Sequence, residues 1–261
     1  MEMNLYQIDA FASKPFEGNP AAVCPLKTWI PDELMQSIAA ENNLSETAFF
    51  VREGSGYRIR WFTPTSEVDL CGHATLASAY VLFNILGYDK EKIEFDSRSG
   101  ILKVMKDNDL LAMDFPAQPP VDCEIPQKII EAFGTTPVEC LKSKDYIVGF
   151  EHETDIESAD PDFEKLKKLD LRGVIITARS SSFDFVARFF APKYGIPEDP
   201  VTGSAYTQLV PYWANKLKRK RFKVRQLSPR GGELTCQLLG KRVLISGRAI
   251  LYLEGRIRVE T

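Results

Sequence analysis

Arg60–Tyr80 reads RWFTPTSEVDLCGHATLASAY, and Arg188–Val210 reads RFFAPKYGIPEDPVTGSAYTQLV. Arg60 matches Arg188, Phe62 matches Phe190 and Pro64 matches Pro192 at a single offset of 128 residues. Three additional residues in the second copy move the offset to 131, which then holds for Gly72 and Gly203, Ser97 and Ser228, and Gly100 and Gly231. A spacing kept over that many landmarks marks an internal duplication. It predicts two related lobes, residues 1–117 and 118–261, with the last strands able to cross back to the first lobe. The proline-rich stretch Pro116–Pro126 reads as the extended connection between them.

Each copy runs from a strand through a polar loop to glycine, and a helix starts there. The first helix, Ala74–Leu86, is polar only at Thr75, Ser78 and Asn84, and its counterpart Ala205–Ala214 only at Thr207 and Gln208. A helix apolar on nearly every side must be surrounded. Segments of strand character flank both: Tyr6–Phe11, Ala48–Val51, Tyr57–Phe62, Lys92–Phe95, Ile101–Val104 and Leu110–Phe115 in the first half. The second half offers Tyr146–Phe150, Gly173–Thr177, Phe185–Phe190, Phe222–Gln226, Glu233–Leu238 and Arg242–Leu253. The expected fold class is α+β, with two pseudo-symmetric lobes, each a curved, mostly antiparallel sheet wrapped around a central buried helix. Exposed helices are expected at Pro31–Glu41, Pro126–Phe133 and Asp160–Leu169, and Pro211 is expected to kink or interrupt the second buried helix. Two such lobes make the cleft between them the expected site.

Composition removes several function classes. The chain has 261 residues, enough for a sizeable core, and a net charge of −3, which argues against a general nucleic-acid binder. The basic run Lys216–Arg221 reads as a helix end and turn. No apolar stretch reaches the roughly 18 residues of a membrane span, and no signal-peptide pattern opens the sequence. Five cysteines without paired spacing make no disulfide framework, so a cytoplasmic location is expected. Two histidines and no close Cys/His grouping speak against zinc.

The two glycine starts carry the chemistry. The first N–H groups of a helix have no internal partner and sit at its positive end. Gly72-His73-Ala74 and Gly203-Ser204-Ala205 could therefore grip a carboxylate without any arginine, or simply make tight strand-to-helix turns. His73, at a helix start that disfavours its cation, reads as a neutral proton donor or acceptor, or as a packed residue. Asp199 reads as an acid near the second start or as a turn aspartate before Pro200, and Ser204 as a site hydroxyl or a first-turn residue. Glu46, beside Phe49 and Phe50, could be desolvated with a raised pKa suited to acid/base work, or be a solvated strand-entry glutamate. Cys71 could be a nucleophile or a proton-carrying thiol. A two-thiol racemase needs a cysteine facing it, and the repeat puts Thr202 at that position. Cys24, Cys123, Cys140 and Cys236 show no partner pattern and read as small apolar residues.

Four motifs, QIDAFASKPFEGNPAAV, NNLSETAFF, RWFTPTSEVDLCGHATLASA and FFAPKYGIPEDPVTGSA, together resemble the phenazine-biosynthesis PhzF-like family, a branch of the diaminopimelate-epimerase fold. The resemblance runs from about Met3 to the C-terminal strands. It implies a homodimer, no metal and no organic cofactor. It also implies that Glu46 is the general acid/base, and that His73, Asp199 and Ser204 line the site and assist the proton shuttle or hold substrate. Gly72 and Gly203 would present their N–H groups to substrate, and Asn19 would lie near the site. Cys71 is kept while Thr202 replaces the second cysteine of the epimerase branch. The implied activity is a cofactor-independent isomerase acting on a small acidic metabolite, with neither nucleic acid nor membrane as a partner. An amino-acid epimerase or racemase, and a non-catalytic binding protein on the same fold, are the rival readings.

Overall fold

The computed structural model describes residues 1–259, and they divide into two units: Met1–Asp114 together with the residues from Ser246 onward, and Phe115–Ile245. The residues from Ser246 onward, which include the last strand, belong with the first unit.

The first unit contains β1 (Glu2–Ala10), β2 (Asn19–Leu26), α1 (Asp32–Asn42), β3 (Glu46–Glu53), β4 (Gly56–Phe62), β5 (Glu67–Val68), α2 (Gly72–Tyr80), β6 (Lys92–Ser97), β7 (Gly100–Asp107) and β8 (Leu110–Pro116). α2 continues as a π-helical turn over Val81–Ile85. Strand β1 pairs antiparallel with β2, β2 parallel with β3, β3 antiparallel with β4, β4 parallel with β6, and β6 antiparallel with β7. Every residue from His73 to Ala79 is buried, and α2 packs against β1, β2, β3 and β7. The opposite face of the sheet buries Phe49 and Phe62 against Met35, Ile38 and Ala39 of α1.

The second unit contains β9 (Val121–Asp122), α3 (Gln127–Phe133), β10 (Glu139–Lys142), β11 (Tyr146–Gly149), α4 (Glu153–Glu157), α5 (Phe163–Leu166), β12 (Val174–Arg179), β13 (Phe185–Ala191), β14 (Ile196–Asp199), α6 (Gly203–Leu217), β15 (Arg221–Gln226), β16 (Gly232–Leu239) and β17 (Arg242–Gly247). Its pairing repeats the first: β10 antiparallel to β11, β11 parallel to β12, β12 antiparallel to β13, β13 parallel to β15, β15 antiparallel to β16. The alternation of β12 sends Val174, Ile176 and Ala178 to the outer helices, and Thr177 to the α6 face, where it accepts from Trp213 Nε1 at 3.0 Å. The duplication also extends to an ion pair not evident from the two stretches alone. Arg60 grips Glu67 through Nε at 2.7 Å, and Arg188 grips Glu198 through Nε at 2.7 Å. Each pair braces the loop that leads from strand to buried helix.

Several expectations need correction. Pro211 does not interrupt α6, which runs unbroken from Gly203 to Leu217. A helical proline leaves the carbonyl four residues back without its usual donor; here Gln118 N–H donates to Thr207 O at 2.9 Å and satisfies it. The strand expected over Arg242–Leu253 is two, β17 and β18 (Ala249–Arg258), separated at Arg248, which turns out to pair with Asp109. β18 runs antiparallel along β1 in the first unit. The helix expected over Asp160–Leu169 is only α5, and α4 was not anticipated. β2 was missed because two prolines break the strand signal in NPAAVCPL. Among the described residues, no helix is long and apolar enough to cross a membrane.

The β1–β2 turn depends on Gly18, whose φ is +68° and whose added Cβ would lie 2.1 Å from Ala10 O. Gly18→Ala is expected to destabilise the fold by about 1–3 kcal/mol through a strained left-handed backbone and this backbone clash. A urea-unfolding midpoint equal to wild type would contradict that account.

Candidate active site

Strand parity decides where Glu46 points. Thr47 accepts from Asn42 Nδ2 at the end of α1, and Phe49 is buried on that same face. Glu46, Ala48 and Phe50 therefore face the other way, toward α2. The Glu46 side chain is 13% exposed, and its Oε2 lies 3.1 Å from Nε2 of His73, the second residue of α2. Among the described residues, neither atom has an aligned hydrogen-bond partner. The contact is a buried charge pair in which the carboxylate oxygen is not locked into a fixed hydrogen bond. The second ring nitrogen of His73, Nδ1, lies 3.6 Å from Sγ of Cys71, the residue that caps α2. Cys71 O in turn accepts from Thr75 Oγ1 at 2.5 Å.

The electrostatics reverse two expectations. Burial pushes Glu46 toward its neutral form, but the attraction of His73 and the Cys71 thiol outweighs it and holds the carboxyl below its usual range. Burial likewise disfavours the His73 cation, yet its flanking partners push its pKa well above the ordinary 6.5. Cys71 is itself pushed up to about 11, by burial first and by Glu46 second. It is thus a neutral thiol near neutral pH, and we assign the rise at His73 to Glu46. The pair is carboxylate and imidazolium, where the sequence suggested a raised glutamate and a neutral histidine; the ion pair overrides both burial and the helix start.

Glu46, Cys71 and His73 form a compact S/N/O donor set, their ligand atoms within 4.8 Å of one another. Cys71 and His73 are two positions apart in the sequence, but Glu46 lies 27 positions before His73, so its joining them is not evident there. Sγ approaches Nδ1 at 3.6 Å and Oε2 approaches Nε2 at 3.1 Å, and thiol and carboxylate also lie close to each other. Asn19, fully buried, opens β2 two residues before Ala21, the strand partner of Glu46.

In the second unit, α6 starts at Gly203 with Thr202 as its cap. Thr202 Oγ1 donates to Asp199 Oδ2 at 2.5 Å, so hydroxyl and carboxylate are engaged with each other. Gln226 clamps this turn, accepting from Thr202 N–H at 3.0 Å and donating to Asp199 O at 2.8 Å. Ser204 Oγ accepts from Arg172 Nη1 at 3.1 Å. The α6 start therefore has a guanidinium beside it, contrary to the expectation of a grip without arginine. Arg172 is fixed by the fully buried Asp145 through Nε at 2.8 Å and Nη2 at 2.5 Å. Gln208 Nε2 also donates to Asp145, at 2.6 Å. Sequence reading missed Arg172, Asp145 and Gln226. Gln208 was the available signal, since a polar side chain in a surrounded helix requires a buried partner.

Comparison with known proteins agrees with this architecture. The family model of the phenazine biosynthesis-like proteins (PhzC-PhzF) matches residues 8–255. A protein of Pseudomonas aeruginosa named as an uncharacterized isomerase is 52% identical over 259 residues, covering 99% of this chain and 100% of its own. The crystal structure of a PhzF-family protein from Enterococcus faecalis superposes with a TM-score of 0.98 at 47% identity, covering 99% of this chain and 100% of that one. A hydroxyproline epimerase of Agrobacterium vitis shares the fold alone, with a TM-score of 0.61 at 10% identity over 98% of this chain and 92% of its own.

Proposed function

Because the chain belongs to the phenazine biosynthesis-like (PhzF) family, we propose that it is an isomerase that moves a proton between carbons of a small carboxylate-bearing substrate through Glu46. The observation that carries this reading is the buried Glu46–His73 pair, 3.1 Å apart at the start of α2. The N–H groups of Gly72 and His73, at the positive end of the helix, suit a substrate carboxylate. Glu46, ionised, takes a proton from a carbon activated by that carboxylate or by a conjugated double bond. The electron pair left behind delocalises over the substrate, and the His73 cation stabilises it. Glu46 then returns that proton, or one exchanged with solvent while it is held, to a second carbon on the same face, which regenerates the carboxylate and leaves substrate and product isomeric. Holding the reacting carbon against the carboxylate supplies the positioning on which such proton transfers depend.

The thiol route of an epimerase has less support. Cys71 holds its proton up to about 11, and the Thr202 hydroxyl donates to Asp199. Incubation with a panel of small carboxylic acids in heavy water, followed by NMR, tests the proposal. Isomerised product or solvent deuterium on a substrate carbon is expected; neither from any acid in the panel would favour the non-catalytic binding reading. Pairing of two copies, as the family resemblance implies, is checked by sedimentation.

The charge pair sets the pH dependence. Glu46, lowered from 4.5, remains a base down to acidity where an ordinary carboxylate is already protonated, and activity is lost as pH falls through that lowered value. His73→Gln removes the cation and leaves burial dominant. The acid limb of the kcat/KM profile is then expected to move to higher pH. An unmoved limb would mean that His73 does not hold Glu46 ionised.

A further inference from the structure

We propose that Cys123 and Cys140 form a reversible disulfide, a modification site open to small disulfide oxidants of the glutathione class. This goes beyond the isomerase reading and stands apart from its residues. In the β9–β10 ladder, Val121 lies opposite Lys142 and Asp122 opposite Leu141. The next pair in that register is Cys123 and Cys140, and Cys123 N–H donates to Cys140 O at 3.1 Å. Their Sγ atoms are 3.5 Å apart. Opposed residues of an antiparallel pair have Cα atoms about 4.5–5.5 Å apart, within the range a disulfide spans. The sulfurs need to close by only about 1.5 Å to reach the bond length of about 2.05 Å, which small side-chain rotations supply. Seventeen positions separate the two cysteines, which is why their spacing gave no partner signal.

The pair is asymmetric in a way that orders the chemistry. Cys123 is partly exposed, whereas Cys140 is buried in the core with Tyr146, Val174 and Phe190. A small disulfide therefore meets Cys123 first. The Cys123 thiolate attacks one of its sulfurs, the oxidant's S–S bond breaks, and one small thiolate leaves. The Cys140 thiolate then attacks Cys123 sulfur and expels the second small thiolate. Two protein thiols are oxidised, one small disulfide is reduced to two thiols, and those thiols carry away the protons. Burial, and then the neighbouring sulfur, push the Cys140 thiol up, so the second exchange is the slow one. Cys24, Cys71 and Cys236 are all buried.

The full chain is incubated with oxidised glutathione, quenched in acid, alkylated in denaturant and weighed intact, then mapped by peptides. Two of the five alkylatable thiols are expected to be lost, with no glutathione mass retained and a peptide linking Cys123 to Cys140. Dithiothreitol restores all five. C123S is expected to keep its remaining thiols under the same treatment, and C24S to lose two as wild type does. Persistence of all five thiols in the wild type, a stable glutathione adduct on Cys123 with Cys140 still alkylatable, or a linkage to any other cysteine overturns the proposal. The wild-type peptide map decides the question even if C123S does not fold.

Discussion

Glu46→Gln is expected to lower kcat/KM about 10²–10⁴-fold, the span typical of removing a general acid/base, with the unfolding midpoint close to wild type. The substitution keeps the shape of a side chain that sits against His73 at 3.1 Å, but removes its charge and its ability to take a proton. If one group carries the proton in both directions, as proposed, deuterium transfer from solvent to substrate should fall in parallel with turnover. Cys71→Ser separates this route from thiol chemistry. It alters a residue that contacts the same histidine but keeps its proton to about 11, and is expected to cost less than tenfold. A Glu46→Gln variant of near wild-type activity, or a Cys71→Ser variant without activity, would overturn the assignment of the base.

The second large effect concerns stability. Asp145 is fully buried, and Arg172, a quarter exposed, is its bidentate partner. Arg172→Ala leaves a carboxylate in the interior with the Gln208 amide as its hydrogen-bond donor and Lys144 nearby, and is expected to cost about 3–5 kcal/mol. Asp145→Ala leaves a guanidinium that can turn toward water, so its cost should be smaller. Urea unfolding of the two variants side by side tests the order. Equal losses would mean that burial of the charge is not what makes the pair matter. Arg172→Ala should in addition release Ser204, to which Nη1 donates at 3.1 Å.

Residue patterns carried the fold further than the site. The two apolar helices and their glycine starts follow from hydrophobicity and an offset of 131, both of which are properties of the linear chain. Glu46 and His73 were each visible as titratable residues at element starts. Their contact was not, because it depends on β3 turning its even positions toward α2. The protonation states depend on the same contact: burial bears on Glu46 and the helix start on His73, but the pair governs both. The local rule for Pro211 allows a kink or an interruption, and the interruption does not occur; Gln118, 93 positions away, donates to the freed Thr207 carbonyl. Cys123 and Cys140 carry no spacing signal, since β9 is only two residues long and meets β10 across a helix.

The crossing-back of β18 bears on synthesis. The second unit occupies one uninterrupted span, Phe115–Ile245, whereas the first lacks the strand that flanks β1 until Ala249–Arg258 has been made. On the ribosome, the later-encoded unit has all of its segments before the earlier one does. The amino-terminal half must wait with β1 as an uncovered edge, a state open to mispairing. Synthesis of Ala249–Arg258, rather than emergence of the first hundred residues, completes the half that carries Glu46 and His73.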